Sequence, residues 1–280
     1  MDFFQAVTLG IVQGLTEFLP ISSSGHLVLF QSLLGLEEPQ LLFDIAVHVG
    51  TLVAVCLFYL PDLKEIARTL FSRSLWKQRG GGFGKRLVKI PQMRLLALII
   101  VGTLPTVGLG LAFRPIADVL FSSIRIVGFM LLATGLLLWL TRRTEETGRD
   151  VGQLTVRDAL YIGVVQGLAI LPGISRSGST IAIGLLRGID RKTAARYSFL
   201  LSIPAILGAL LLGCVGISEP TAHPPNSVGI MVGGALIAFV VGYAALRILV
   251  YMIQRGRFFI FAPYCWLLGA LCVVYSFVPA

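Results

Sequence analysis

Six stretches of this chain, about 42–60, 95–112, 126–140, 193–213, 228–252 and 259–278, are long and apolar enough to cross a lipid bilayer. The third is short for a span and is expected to begin nearer Ser122. Hydrocarbon offers backbone amides no water, so a crossing segment must satisfy its own N–H and C=O groups, as a helix does. The chain is therefore expected to be an all-α polytopic membrane protein. Only 13% of residues are charged and mean hydropathy is +0.86, whereas soluble chains carry about 25% charged residues. The start, Met-Asp-Phe-Phe-Gln, lacks a basic n-region, so no cleavable signal peptide is expected. The net charge of +9 is no nucleic-acid signature, because Lys and Arg sit in loops between apolar runs. Cys56, Cys214, Cys265 and Cys272 lie in or beside apolar stretches without metal-ligand spacing and read as small buried side chains.

Two further apolar regions are interrupted. Residues 3–36 break at Pro20-Ile-Ser-Ser-Ser-Gly25, and residues 158–188 break at Pro172-Gly-Ile-Ser-Arg-Ser-Gly178. Each half is too short to span, so each region reads as a re-entrant helix hairpin that enters and leaves on one side. Irregular backbone at membrane depth is tolerated only inside protein or along a polar cavity. The breaks carry one motif twice. Gln13-Gly-Leu-Thr-Glu17-Phe-Leu-Pro-Ile-Ser22-Ser23-Ser24-Gly25-His26 matches Gln166-Gly-Leu-Ala-Ile-Leu-Pro-Gly-Ile-Ser175-Arg176-Ser177-Gly178-Ser179-Thr180, with Gln13 and Gln166 lying 153 positions apart.

Loop charge sets orientation. The 61–94 loop holds Lys64, Arg68, Arg73, Lys77, Arg79, Lys85, Arg86, Lys89 and Arg94, and the 141–157 loop holds Arg142, Arg143, Arg149 and Arg157. The turns 187–196 and 253–258 add Arg187, Arg191, Lys192, Arg196, Arg255 and Arg257. The 214–227 loop has no Lys or Arg, and 113–125 has only Arg114 and Arg125. The first four are expected inside and the last two outside, with both termini outside. Three spans then follow each hairpin, so the first hairpin enters from outside and the second from inside. The chain divides into two repeats of inverted topology, 1–150 and 151–280, whose polar loops can meet near the midplane, as in many transporters. Gly80-Gly-Gly-Phe-Gly84 reads as a flexible surface segment without a phosphate-loop pattern.

Polar groups are costly in hydrocarbon, so the motifs mark a functional site. In the second loop, backbone N–H groups, hydroxyls and a helix N-terminus over Ser175, Ser177, Gly178, Ser179 and Thr180 suit an anion. Arg176 adds a planar, permanently charged fork for phosphate oxygens; the bland alternative is an Arg paired with a carboxylate. In the first loop Glu17 can be a metal ligand, a base, or a structural partner of Arg176. Ser22, Ser23 and Ser24 offer hydroxyls to a phosphate or for nucleophilic attack, and His26 can transfer a proton near neutral pH. Gln13 shares a helix face with Glu17. Oxygen ligands and a diphosphate suit Mg²⁺ or Ca²⁺ but not zinc. Asp44 and His48, four apart, can line the entrance, support the site or simply bond structurally. His223 reads as a solvated loop residue, and Tyr197 and Ser198 have no special status. Such a site fits phosphoryl chemistry on an amphiphile, and composition alone does not separate hydrolysis from transport.

At these motifs the chain resembles the bacterial undecaprenyl-diphosphatase family, also called bacitracin-resistance proteins, and the hydropathy layout fits over the whole chain. The resemblance implies an inner-membrane enzyme that hydrolyses undecaprenyl diphosphate to undecaprenyl phosphate and inorganic phosphate. That reaction recycles the carrier for cell-wall synthesis and confers bacitracin resistance. It also implies re-entrant hairpins in an inverted repeat. The family's acidic motif falls on Gln13 and Glu17, where the first position is Glu or Gln; its serine and histidine fall on Ser23 and His26, and its Ser-Arg-Ser-Gly loop on Ser175–Gly178. The expected roles follow: Arg176 with 175–180 clamps the diphosphate, and Glu17, with Gln13, holds a divalent cation or activates the nucleophile. Ser23 attacks phosphorus or positions a water, and His26 moves the proton. The cleft is expected to face the periplasm. The competing function is a polyprenyl-phosphate transporter built on the same repeat. A homodimer would find close helix contacts at Gly102, Gly128, Gly208, Gly233 or Gly234.

Overall fold

The computed structural model describes residues 1–36, 40–72, 90–116, 120, 123–145, 148–216 and 227–277. Among these the chain is helical, with no strand beyond an isolated bridge between Arg149 and Ile189. In order the helices are α1 (Phe3–Phe18), α2 (Ser23–Leu33), α3 (Leu41–Phe58), α4 (Leu60–Leu70), α5 (Pro91–Phe113) and α6 (Ile124–Leu140). They continue as α7 (Val156–Leu168), α8 (Arg176–Leu186), α9 (Arg191–Gly216), α10 (Ser227–Gln254) and α11 (Ala262–Tyr275). Six, α3, α5, α6, α9, α10 and α11 with its preceding turn, are long and apolar enough to cross a membrane. Between 22% and 44% of each apolar window is buried inside the chain. The remainder faces outward, where Leu104, Leu136, Val240 and Leu267 stay more than half exposed. An apolar belt of this kind requires hydrocarbon around it.

The spans fall where hydropathy put them, with one correction. The third starts upstream of 126 as expected, at Ile124, where the Ser123 side chain accepts from Ile126 N and caps the helix. The stretch expected as a loop over 61–94 opens as α4, which starts with Pro61 and Asp62 in its first turn, buries Ile66 and packs on α5. Residues 73–89, with most of that basic cluster and Gly80–Gly84, lie outside the described residues, as do Ser122 and His223. Cys265 is buried as expected, while Cys56 and Cys272 are half-buried.

The two interrupted regions form helix–turn–helix pairs in one register. α2 and α8 begin at 23 and 176 and end at 33 and 186, each offset by 153. Asp2 with Gln5 makes a capping box on α1, and Thr155 with Asp158 makes one at the equivalent place on α7. Gly35 and Gly188 follow the second helices with φ of 71° and 74°, the left-handed conformation that ends a helix at little cost only for glycine. The close approaches repeat too. A Cβ on Gly10 would lie 2.8 Å from Gly234 O on α10, and one on its counterpart Gly163 would overlap Gly102 O on α5. Of the expected dimer glycines, Gly102, Gly128 and Gly234 are used this way within the chain, and Gly208 and Gly233 meet nothing.

Asp158, fully buried, closes the second pair. It takes Arg149 at 2.6 and 3.0 Å, Arg187 Nε at 2.5 Å and the Thr155 hydroxyl at 2.7 Å. Basic loops gather at the same end of the helices. Arg149 donates to Arg187 O, Arg191 reaches both Thr144 O and Gln254 O, and Arg196 pairs with Asp62.

Candidate active site

The turns of the two pairs interlock. Gly173 N donates to Ser22 Oγ at 3.2 Å, and Ser177 Oγ donates to Phe18 O at 2.8 Å. Gly178 sits where a Cβ would come 2.9 Å from Pro20 Cβ. Thr134 of α6 donates to Gly173 O at 3.1 Å, and Cys265 of α11 donates to Pro20 O at 3.3 Å. Phe18, fully buried against Phe199, fixes the end of α1 just beyond Glu17.

This interlock delivers three side chains to one carboxylate. Glu17 Oε2 accepts from Ser23 Oγ at 2.7 Å and from Gln13 Nε2 at 3.0 Å, while Oε1 receives the Arg176 guanidinium. His48 Nε2 stands 3.9 Å from Oε2. Glu17 is 7% exposed, whereas Ser23, Ser24, Arg176 and His48 are half-buried. Ser23 and Arg176 occupy the same place in the repeat, 153 positions apart, and grip opposite oxygens of Glu17.

The other expected residues fall behind this front. Ser175 Oγ caps α8 by accepting from Gly178 N at 3.1 Å. Thr180 Oγ bonds Arg176 O and the Ser198 hydroxyl, so Ser198, which no motif marks, buttresses the arginine's turn. Ser175, Ser177, Ser179 and Thr180 are all at most 2% exposed. Their hydroxyls are used inside the protein, except that of Ser179, which has no partner. α2 differs: the Ser22 hydroxyl oxygen accepts from Gly173 N and makes no side-chain cap. The first N–H groups of α2, at half-buried Ser23, Ser24 and Gly25, thus lack the side-chain cap that Ser175 gives α8. The Asp44 carboxylate takes Gln31 Nε2 at 2.8 Å and does not join the Glu17 cluster; its backbone carbonyl holds His48 Nδ1 at 2.7 Å. His26 is 5% exposed, with Nδ1 2.8 Å from Ser22 O and Nε2 2.7 Å from the Tyr264 hydroxyl. Both its nitrogens are therefore engaged by groups other than Glu17. Sequence reasoning missed Tyr264, Thr134 and Ser198, which carry no motif and reach the loops only through the fold.

Among the described residues no three His, Cys, Asp or Glu side chains gather to hold a metal. The oxygens that are present do fit a hard cation. Gln13 Oε1 is buried without a hydrogen-bond partner beside the Glu17 carboxylate, and its amide nitrogen already serves Glu17. A groove lined by Leu140, Arg143, Thr144, Leu185 and Gly188 lies at the far end of α8 and contains none of these groups.

The model of the bacitracin resistance protein BacA matches residues 6–271. A protein of Desulfatibacillum aliphaticivorans named undecaprenyl-diphosphatase is 50% identical over 279 residues, covering 99% of this chain and 100% of the relative. Proteins of the same name from Halothermothrix orenii (98% of each chain covered) and Methanosphaera stadtmanae (99% of each) are both 41% identical. With a carboxylate, a serine and an arginine converging from two copies of one motif, and relatives matched end to end, the chain belongs to the BacA family of bacitracin resistance proteins.

Proposed function

We infer that this chain is an integral membrane phosphatase that hydrolyses undecaprenyl diphosphate to undecaprenyl phosphate and inorganic phosphate. It thereby recycles the lipid carrier for cell-wall synthesis and confers resistance to bacitracin. The observation that carries this reading is the Glu17 carboxylate bound at once by Ser23 and Arg176 among apolar helices. The names of the relatives support the substrate.

The geometry suggests an order of events. The terminal phosphate enters at the N-terminus of α2, where the N–H groups of residues 23–25 and the helix dipole favour negative charge. Arg176 swings from Glu17 to the phosphate oxygens, which its fork matches. Ser23 Oγ, already donating to Glu17 Oε2, loses its proton to that oxygen as it attacks phosphorus. The bond from phosphorus to the bridging oxygen breaks, and undecaprenyl phosphate leaves. Water then attacks the phosphoserine phosphorus, the P–Oγ bond breaks, Ser23 Oγ takes back the proton held on Glu17, and inorganic phosphate leaves with the water's oxygen and its protons. Ser175, Ser177 and Thr180 hold Arg176 in position instead of touching phosphate, and His48 flanks Glu17 from α3. Positioning and charge neutralisation supply most of the rate in such transfers.

A Mg²⁺ or Ca²⁺ ion would be held by Gln13 Oε1 and Glu17 with oxygens of the substrate, the arrangement usual where a site offers one carboxylate. When bound, it would neutralise charge on the diphosphate. The two halves, 1–150 and 151–280, are read as inverted repeats with re-entrant hairpins. In support, α1 packs on α10 while α7 packs on α5, so the first helix of each half rests on the second span of the other. The gathered basic loops support a cytoplasmic end, and Arg125 bonded to Ser276 supports placing the C-terminus at the other, periplasmic end of the inner membrane.

The test is phosphate release from undecaprenyl diphosphate by purified protein, with Mg²⁺, with Ca²⁺ and with chelator, beside Ser23→Ala. Release by wild type and a loss of at least 10³-fold in Ser23→Ala is expected. Near-normal turnover of Ser23→Ala would remove the serine nucleophile, and no release from folded wild type would remove the hydrolase.

A further inference from the structure

Tyr264 lies in the first turn of α11, far along the chain from both motifs, and its ring stacks on His26 with centroids 5.8 Å apart. Its hydroxyl meets His26 Nε2 at 2.7 Å. On the other side of the imidazole, Nδ1 faces the carbonyl oxygen of Ser22 at 2.8 Å. A carbonyl oxygen can only accept, so Nδ1 carries the hydrogen. His26 is 5% exposed, and the ion pairs among the described residues do not include it. A buried imidazole without a counter-ion is neutral, so Nε2 holds a lone pair and the Tyr264 hydroxyl donates to it. A donor at one nitrogen thus fixes the tautomer that can hold Ser22 O with the other.

What His26 holds needs holding. Ser22 is the one non-glycine among the described residues with positive φ, at 71°. That conformation is strained for a residue with a Cβ and persists only where its surroundings enforce it. Here the enforcers are His26 on the carbonyl and Gly173 N on the hydroxyl. The next residue is Ser23. The first turn of α11 also grips the turn from its other side, through Cys265 on Pro20 O.

We propose that Tyr264 is a positioning residue for the reaction: through His26 it locks the left-handed Ser22 turn that aims the Ser23 hydroxyl at Glu17. This rests on reading Ser23 and Glu17 as the reacting pair. His26 then serves as a brace, and the proton of Ser23 passes to Glu17 without it.

The experiment uses the full chain in detergent with undecaprenyl diphosphate, in wild type, Tyr264→Phe, His26→Ala, the double variant and Ser23→Ala. Tyr264→Phe keeps the ring and removes one hydroxyl. Its kcat per folded molecule is expected to fall roughly 10-fold, the low end for partners that orient a functional group, with KM within about twofold. In the His26→Ala background the same change should add less than about twofold, because its effect travels through the imidazole. In ¹⁵N-histidine spectra, wild type should show a ring locked with Nδ1 protonated, assigned by its loss in His26→Ala. In Tyr264→Phe that ring should become a mixture of tautomers. Unchanged turnover in Tyr264→Phe, a full additive loss in the double variant, or an unchanged tautomer would each overturn the proposal. Those outcomes beside a dead Ser23→Ala would leave the hydrolase reading intact. A Ser23→Ala enzyme with normal turnover would remove that reading and this proposal's link to catalysis with it.

Discussion

Arg176 pairs with Glu17 in the structure and is assigned to the phosphate during turnover, and one pair of variants separates a structural ion pair from a substrate clamp. Arg176→Ala leaves the Glu17 carboxylate, 7% exposed, without its counter-ion. Breaking a buried pair from one side costs about 3–5 kcal/mol. The arginine side chain is 17% exposed, which puts the cost near the lower figure, about 3 kcal/mol. At roughly 2–4 °C per kcal/mol for chains approaching this size, the melting temperature should drop by about 6–12 °C. Adding Glu17→Gln removes the stranded charge, so the double variant should return to within about 1 kcal/mol of wild type. Phosphate release should not return with it. Loss of an arginine that stabilises a phosphoryl transition state costs about 10³-fold or more, and the double variant also lacks its base. The assay is thermal denaturation in detergent beside phosphate release on the same preparations. If Arg176→Ala, which keeps the Glu17 base, loses stability but turns over near normally below its melting temperature, the arginine only neutralises Glu17, and the clamp is wrong.

Three further outcomes follow from the packing and the charges. Gly14→Ala should cost about 1–3 kcal/mol and lower phosphate release together with the melting temperature, because its methyl meets backbone atoms of α10 at 2.9 Å and α1 must shift with Glu17 upon it. Asp158→Asn should destabilise by roughly 2–4 kcal/mol, somewhat less than a fully buried pair because Arg149 and Arg187 are each about a third exposed, while leaving KM unchanged. Gln13→Glu should keep phosphatase activity and lower the Mg²⁺ concentration needed for half-maximal rate, since a second carboxylate replaces a neutral oxygen; a titration showing no change would argue that no cation sits at Gln13.

The spans were legible because a bilayer demands about twenty apolar residues in a row. Glu17, Ser23 and Arg176 stood out because polar groups inside such sequence are rare. α4 was legible in principle. Pro61 and Asp62 mark a helix start, and Leu63, Ile66, Ala67 and Leu70 fall on one face, but a count of positive charges hid that period behind the word loop. The two motifs could not reveal that their matching serines differ, Ser175 capping its helix and Ser22 bonding the other loop. That difference arises across 151 residues of chain. Tyr264 was beyond reach for the same reason, since nothing near it in sequence refers to His26.

The equivalence of positions 23 and 176 has a consequence for what the chain could be built from. Two identical subunits around a two-fold axis must present the same side chain from both sides of any group near that axis. A hydroxyl facing a hydroxyl would lack the cation, and a guanidinium facing a guanidinium would lack the nucleophile. Two copies that differ in sequence, here carried on one chain, are free to place Ser23 on one oxygen of Glu17 and Arg176 on the other. Divergence of the halves is thus a condition of the chemistry, because it lets repeated architecture carry an asymmetric pair of side chains.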